Sequence, residues 1–193
     1  MKNFVVSMVV TTSLLMACSG DDPNPSPSKL DPPAADAKSQ PELPAVSVGW
    51  VPSEACSFLD PALVTRGYKH DFEDEYHCSS SYQELGATAR GLPNNLAYYV
   101  TGTSSIADTV KLVLNYNQPT DARAATDQLV AESKTLAIKA TGNEIPENTL
   151  VAIAAGRSAV ETSGQFKHEV KRDDWPTGRG YEIHYVVTKV ERR

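Results

Sequence analysis

Thr109-Val110-Lys111-Leu112-Val113-Leu114-Asn115-Tyr116 is the stretch that decides the fold. Val110, Leu112 and Leu114 alternate with Lys111, Val113 and Asn115, the period-two pattern of a strand with one strongly buried face. Upstream, Asn95 to Thr101 (NLAYYVT) is rich in β-branched and aromatic residues, and Gly102-Thr103-Ser104-Ser105 between the two reads as a hairpin loop. Downstream the period changes to 3.6. Pro119 and Thr120 open a helix from Asp121 to about Thr141, with Ala122, Ala125, Leu129, Leu136 and Ala140 on one stripe and Val130 and Ala137 on its flank. Asp121 in the first turn and Lys139 in the last complement the helix dipole, and Gly142 ends the helix. A second, shorter helix is opened by Pro146, closed by Gly156, and is expected to bury Leu150, Val151 and Ala154.

The C-terminal part reads as another hairpin. Gln165 to Arg172 alternates Phe166, His168 and Val170 against Lys167, Glu169 and Lys171; Tyr181 to Val190 alternates Tyr181, Ile183, Tyr185 and Val187 against Glu182, His184 and Thr188. The turn between them, Asp173 to Gly180, is dense in turn-forming residues. A hairpin symmetric about that turn sets His168 opposite Tyr185, on the face of Phe166, Val170 and Ile183, and sends His184 to the other face. Near the start, Asp60-Pro61 reads as an N-cap and N1 proline, followed by Ala62, Leu63 and Val64 and stopped by Gly67. The sum is an α+β domain of order ββααββ, an antiparallel sheet of two hairpins with two helices packed on one face.

Outside this domain, placed at residues 46–193, the composition shifts. Seven of the thirteen prolines fall between Ser19 and Pro44, interleaved with Ser, Asp, Ala and Lys, and nothing there is apolar enough to form a core. Residues 18–45 are therefore expected to be a disordered, partly extended tether, reaching up to about 80 Å at ~3 Å per residue. Before it, Lys2 is followed by an apolar run from Phe4 to Ala17, too short for the roughly 20 residues of a membrane-spanning helix and suited to a cleaved signal at 1–17.

That run ends in Leu15-Met16-Ala17-Cys18. The four residues resemble the lipobox of bacterial lipoproteins, which implies diacylation of the Cys18 thiol, cleavage before it, and acylation of the new amino group. Several acyl chains together exceed what stable anchoring requires. The residue after the cysteine is Ser19 rather than Asp, which by the same resemblance implies sorting to the outer membrane of a diderm envelope, facing the periplasm. Cleavage removes Lys2 and takes the formal net charge from −6 to −7, an acidic balance that argues against nucleic-acid binding.

With Cys18 assigned to lipid, Cys56 and Cys78 remain, an even pair in an oxidising compartment, and they are expected to form a disulfide. A metal-thiolate pair is the alternative, but it favours a CxxC-like spacing that is absent. Around the first of them, Ala55-Cys56-Ser57-Phe58-Leu59-Asp60-Pro61-Ala62 is similar to the opening of certain actinobacterial envelope lipoproteins and sensor ectodomains, in which a cysteine precedes a Leu-Asp-Pro turn. The likeness implies a sensing or binding module and assigns no site.

Three places could carry chemistry. The run His70-Asp71-Phe72-Glu73-Asp74-Glu75-Tyr76-His77 holds two histidines and four carboxylates, but lacks the turn glycine and ligand alternation of an EF-hand loop and fits no zincin spacing. It reads first as a solvated acidic loop, so no metal and no cofactor is assigned. His168 and His184 read as sheet-packed histidines rather than catalytic bases. On the hairpin loop, Trp175 and Arg179 beside Gly178 and Gly180 are residue types enriched at interface hot spots, and they form the candidate partner surface. No G-x-S-x-G elbow and no S-x-x-K is present in the folded part. The expectation is a non-enzymatic binding or interaction module on a membrane tether, with a protein or an envelope component as partner. The alternative is a small periplasmic hydrolase or metal-dependent enzyme built on the His70–His77 loop.

Overall fold

A computed structural model describes residues 48–86, 91–118 and 121–190, all within one compact unit, Pro44–Arg193. The expected signal segment, Cys18, the expected tether, and Pro119 and Thr120 at the expected helix start lie outside the described residues. In chain order the elements are α1 (Pro52–Cys56), β1 (Lys69–His70), β2 (Tyr76–Ser79), β3 (Gln83–Leu85), β4 (Asn94–Gly102), β5 (Ala107–Tyr116), α2 (Ala122–Thr141), α3 (Glu147–Ala155), β6 (Ala159–Ser163), β7 (Phe166–Asp174) and β8 (Tyr181–Lys189). The class is α+β with an antiparallel sheet, as expected, but the order ββααββ is not observed. One eight-stranded sheet runs β1-β2-β4-β5-β8-β7-β6, with β3 also pairing β4.

The two long hairpins read from the sequence are β4–β5 and β7–β8, and β8 lies between β5 and β7. Alternation decides which side chains go inward. Leu96, Tyr98 and Val100 of β4, Val110, Leu112 and Leu114 of β5, and Ile183, Tyr185 and Val187 of β8 are fully buried. They stand in rows across the sheet, Val100–Val110–Val187 and Tyr98–Leu112–Tyr185 among them. Each leucine so buried contributes on the order of 2 kcal/mol. The same rows continue to His168 and Val170 on β7. The β7–β8 register is two residues from the symmetric one: His168 faces Val187, and Tyr185 faces Val170. A shift of two keeps every side chain on its face, so His168 still points inward and His184 outward.

The helices cover this apolar face. α2 buries Ala125, Leu129, Leu136, Ala137 and Ala140 on the stripe read from the sequence, and Gly142 closes it in the left-handed region at φ 74°. α3 departs from expectation. Its buried residues are Thr149, Ala152 and Ile153, while Val151 is 49% exposed and Ala154 lies outside. The helix is rotated because Ile153 enters the shared core, and Val151, two positions earlier, is then carried to the opposite side.

The segment before β1 also differs. The first helix is Pro52–Cys56 rather than one beginning at Pro61, and the chain from Ser57 to Leu63 runs through turns that bury Leu59 and Leu63. The N1 proline signal therefore belongs to Pro52. α1 is held to the sheet by polar contacts that its short length needs. The buried Tyr98 hydroxyl donates to Ala55 O at 2.7 Å, and burial pushes that phenol well above its usual pKa. Just before α1, Trp50 Nε1 donates to Ala140 O of α2 at 2.7 Å while its ring stacks on Phe166 of β7. The Cys56–Cys78 disulfide, with Cα atoms 6.1 Å apart, fastens α1 to β2.

The disulfide closes a loop with a sequence separation of 22, for which chain entropy gives about 3 kcal/mol. Cys56→Ala is expected to lower the unfolding free energy by about that amount in guanidinium titrations, and non-reducing mass spectrometry of the wild type should find neither thiol free.

Candidate partner surface

The β7–β8 loop is built by its backbone. Trp175 N donates to Gly180 O at 3.1 Å and Gly178 N to Trp175 O at 2.8 Å, with Gly178 at φ 63°. Gly180 is buried, and a Cβ there would collide with Tyr116 O and with the Trp175 ring. Only glycine lets the indole lie down on the base of the turn. Trp175 is accordingly half-buried, and its Nε1 donates to Glu182 Oε1 at 3.2 Å. Arg179 is exposed on the same loop, and among the described residues only its backbone N–H is engaged, with Thr177 Oγ1. The two residues paired by sequence thus have different duties. Trp175 closes the hairpin, and Arg179 is presented.

Glu182 links the loop to the sheet face opposite the helices. Among the described residues no helix lies on that face, and its side chains are tied to one another. Asn115 Nδ2 donates to Asn95 Oδ1 at 2.7 Å; His184 Nε2 lies 2.8 Å from Glu182 Oε2 and 3.8 Å from Asp173; Lys171 is 3.6 Å from Asp173. Beyond them Lys167 meets Glu169 at 2.7 Å, and Lys111 sits over the Tyr99 ring, whose hydroxyl donates to that of Tyr82. Such partly exposed pairs add little stability, about 0–1 kcal/mol each. Their effect is to hold long side chains in place, which reduces the ordering cost when a partner docks.

The His70–His77 run is half loop and half sheet. Its ends pair as β1 and β2, and Asp71 to Glu75 form the turn between them. His70 Nε2 is engaged by Glu73 O. His77 Nδ1 lies 3.3 Å from Asp71 Oδ2 in an orientation that makes no hydrogen bond. Phe72, Glu73, Asp74 and Glu75 line an open concavity of about 430 Å³ with Thr101 to Thr103 and Asp108. Among the described residues, no three His, Cys, Asp or Glu side chains gather closely enough to hold a metal ion. Nor does the sheet bring this run to the other histidines. β2 is three strands from His184 and four from His168, roughly 15–20 Å at the interstrand spacing, and His168 is on the opposite face.

On the helix side, a groove of about 430 Å³ lies between α2 and the end of α3, unanticipated from the sequence. Its floor is Tyr116 stacked on Tyr181 at 4.3 Å, and small residues, Ala154, Ala155 and Gly156, form one wall. Arg172 packs on the Tyr181 ring at 3.8 Å, forks onto Asp174, and donates to Gly156 O. Burial raises the Tyr116 phenol to about 12. Four separate elements meet here, so no local motif announces it.

The loop makes a stability prediction that separates its two residues. Trp175→Ala is expected to cost about 2 kcal/mol, roughly half of what a fully buried tryptophan loses. Arg179→Ala should stay within ~0.5 kcal/mol of wild type in the same thermal melts. No protein-family model matches this chain, and no curated protein and no solved structure matches it.

Proposed function

We propose that the chain is a lipid-anchored envelope lipoprotein whose folded part is a non-enzymatic binding module for a protein or another envelope component. The observation that carries this reading is the Cys56–Cys78 disulfide. The chain has three cysteines, and with two joined to each other, Cys18 is left as the cysteine that ends the lipobox-like Leu15–Cys18. A disulfide also suits a compartment outside the cytoplasm. Ser19 after the lipidated residue favours the outer membrane, with the domain held away from the bilayer by the tether. Among the described residues no helix is long and apolar enough to cross a membrane. The presented Arg179, the Trp175 beside it and the ordered open face supply a contact surface. A metal-dependent hydrolase on the His70–His77 loop has no gathered ligand set among the described residues to support it.

Two experiments test the reading. Cys18→Ser should abolish incorporation of a fatty-acid analogue and release the protein from membranes; labelling that persists overturns the lipoprotein assignment. For the binding role, a lipid-free form beginning at Ser19 should capture a partner from envelope extracts. Arg179→Ala should weaken that capture roughly thirtyfold, the effect of losing a ~2 kcal/mol hot-spot residue. Undiminished capture would move the contact surface away from the loop.

A further inference from the structure

His168 is 2% exposed on β7, one strand in from the edge strand β6, under the helix layer. Its Nδ1 shares a hydrogen bond with the Tyr185 hydroxyl at 2.9 Å. Directly across the β6–β7 ladder is Glu161, whose Oε2 accepts a hydrogen bond from Thr149 Oγ1 at 3.1 Å. Thr149 is 1% exposed on α3, so this bond ties the first turns of α3 to the sheet edge. Phe166 and Val170 flank His168 on its own strand, Val187 faces it from β8, and Tyr185, which faces Val170, reaches it diagonally. Of the charged groups around it, Glu161 is the one whose field acts on the imidazole. Histidine and carboxylate are not within ion-pair distance of each other. Residues opposite one another on antiparallel strands have Cβ atoms about 5 Å apart, so side-chain rotation alone can bring them together.

We propose that His168, Glu161 and Thr149 form an acid-operated latch on α3. At neutral pH the imidazole is uncharged and satisfied by Tyr185, and Glu161 holds Thr149. On uptake of one proton the imidazolium has two N–H donors. Nδ1 donates to the Tyr185 oxygen, and Nε2 turns toward the Glu161 carboxylate and draws it from Thr149. The buried Thr149 hydroxyl then loses its acceptor, an unfavourable state that α3 relieves by lifting from the edge of the sheet. α3 contributes Leu150 to a small cavity against Ile138 and Ile145, and Ala154 and Ala155, with Gly156 at its end, to the groove against α2. The latch therefore sets the spacing of the helix pair.

The direction of the pH effect follows from burial. Desolvation holds His168 below its ordinary value of 6.5, against a smaller upward pull from Glu161. An exposed histidine takes up its proton first as pH falls. The closed latch is thus fully favoured above about 6.5 and is lost progressively as pH drops toward the lowered folded-state value.

Hydrogen exchange of the α3 amides, residues 147–155, tests this when measured at pH 7.5 and 5.5 and corrected for the intrinsic rate. Wild type is expected to lose at least tenfold of its α3 protection at the lower pH while β5 and α2 keep theirs, and His168→Gln should lose none. Equal α3 protection at both pH values, or an equal loss in His168→Gln, overturns the latch. Glu161→Gln gives an independent readout. With no carboxylate to attract it, the His168 ring should titrate at a lower pH than in wild type by NMR, and an unchanged midpoint also overturns the proposal.

Discussion

The ladder between β5 and β8, running from Thr109–Thr188 to Tyr116–Tyr181, is the pairing on which the rest of the structure depends. It joins two pieces distant in the chain, the sheet built from β1 to β5 and the meander β6-β7-β8. Each piece alone has an apolar face too narrow to cover. Joined, their inward rows become one surface wide enough for α2 to lie over β4, β5 and β8 while α3 lies over β6 and β7. The phenol hydroxyls brought inside by this seam are matched individually. Tyr98 meets the Ala55 carbonyl, Tyr116 meets Thr126, and Tyr185 meets His168. Three buried phenols with partners keep the interior from being apolar throughout, and each fixes one element above the sheet or within it.

The one-sided sheet separates two kinds of surface. The helix side is uneven, with concavities where α2 and α3 diverge. The open side is level and populated by paired charges and stacked polar groups that present little loose side-chain entropy. In the proposed binding role, a partner docking there would meet a surface already ordered, and discrimination would depend on matching those pairs rather than on burying apolar area.

Sequence patterning was sufficient wherever an element was long enough to show its period. β4, β5, β7, β8 and α2 each have nine or more residues, and all were legible. β1, β2 and β3 have two to four residues, too few for alternation to rise above chance. Tyr76 to Ser79 was further masked by the acidic run before it. β6 shows why edge strands are elusive: Val160 is 62% exposed, and the inward residue on its row is Glu161, the reverse of the expected alternation. In α3 the apolar residues outnumber the core positions, so composition could not say which of Val151 and Ile153 would go in. At the candidate surface, turn chemistry located the loop correctly. It could not distinguish Trp175 from Arg179, because the difference lies in Gly180, which makes room for one ring and not for the other side chain.

The position of β8 has a consequence for biogenesis. It is the last strand of the described residues to be synthesised, yet it fills the middle of the sheet. Until it arrives, β5 and β7 each carry an open edge, and the helices have no continuous floor. A chain emerging from its N-terminus therefore cannot complete this domain early. Its sheet stays open in the middle until β8 has been made. The same delay leaves β5 and β7 as two unpaired edges, open to wrong pairing, until β8 closes the gap.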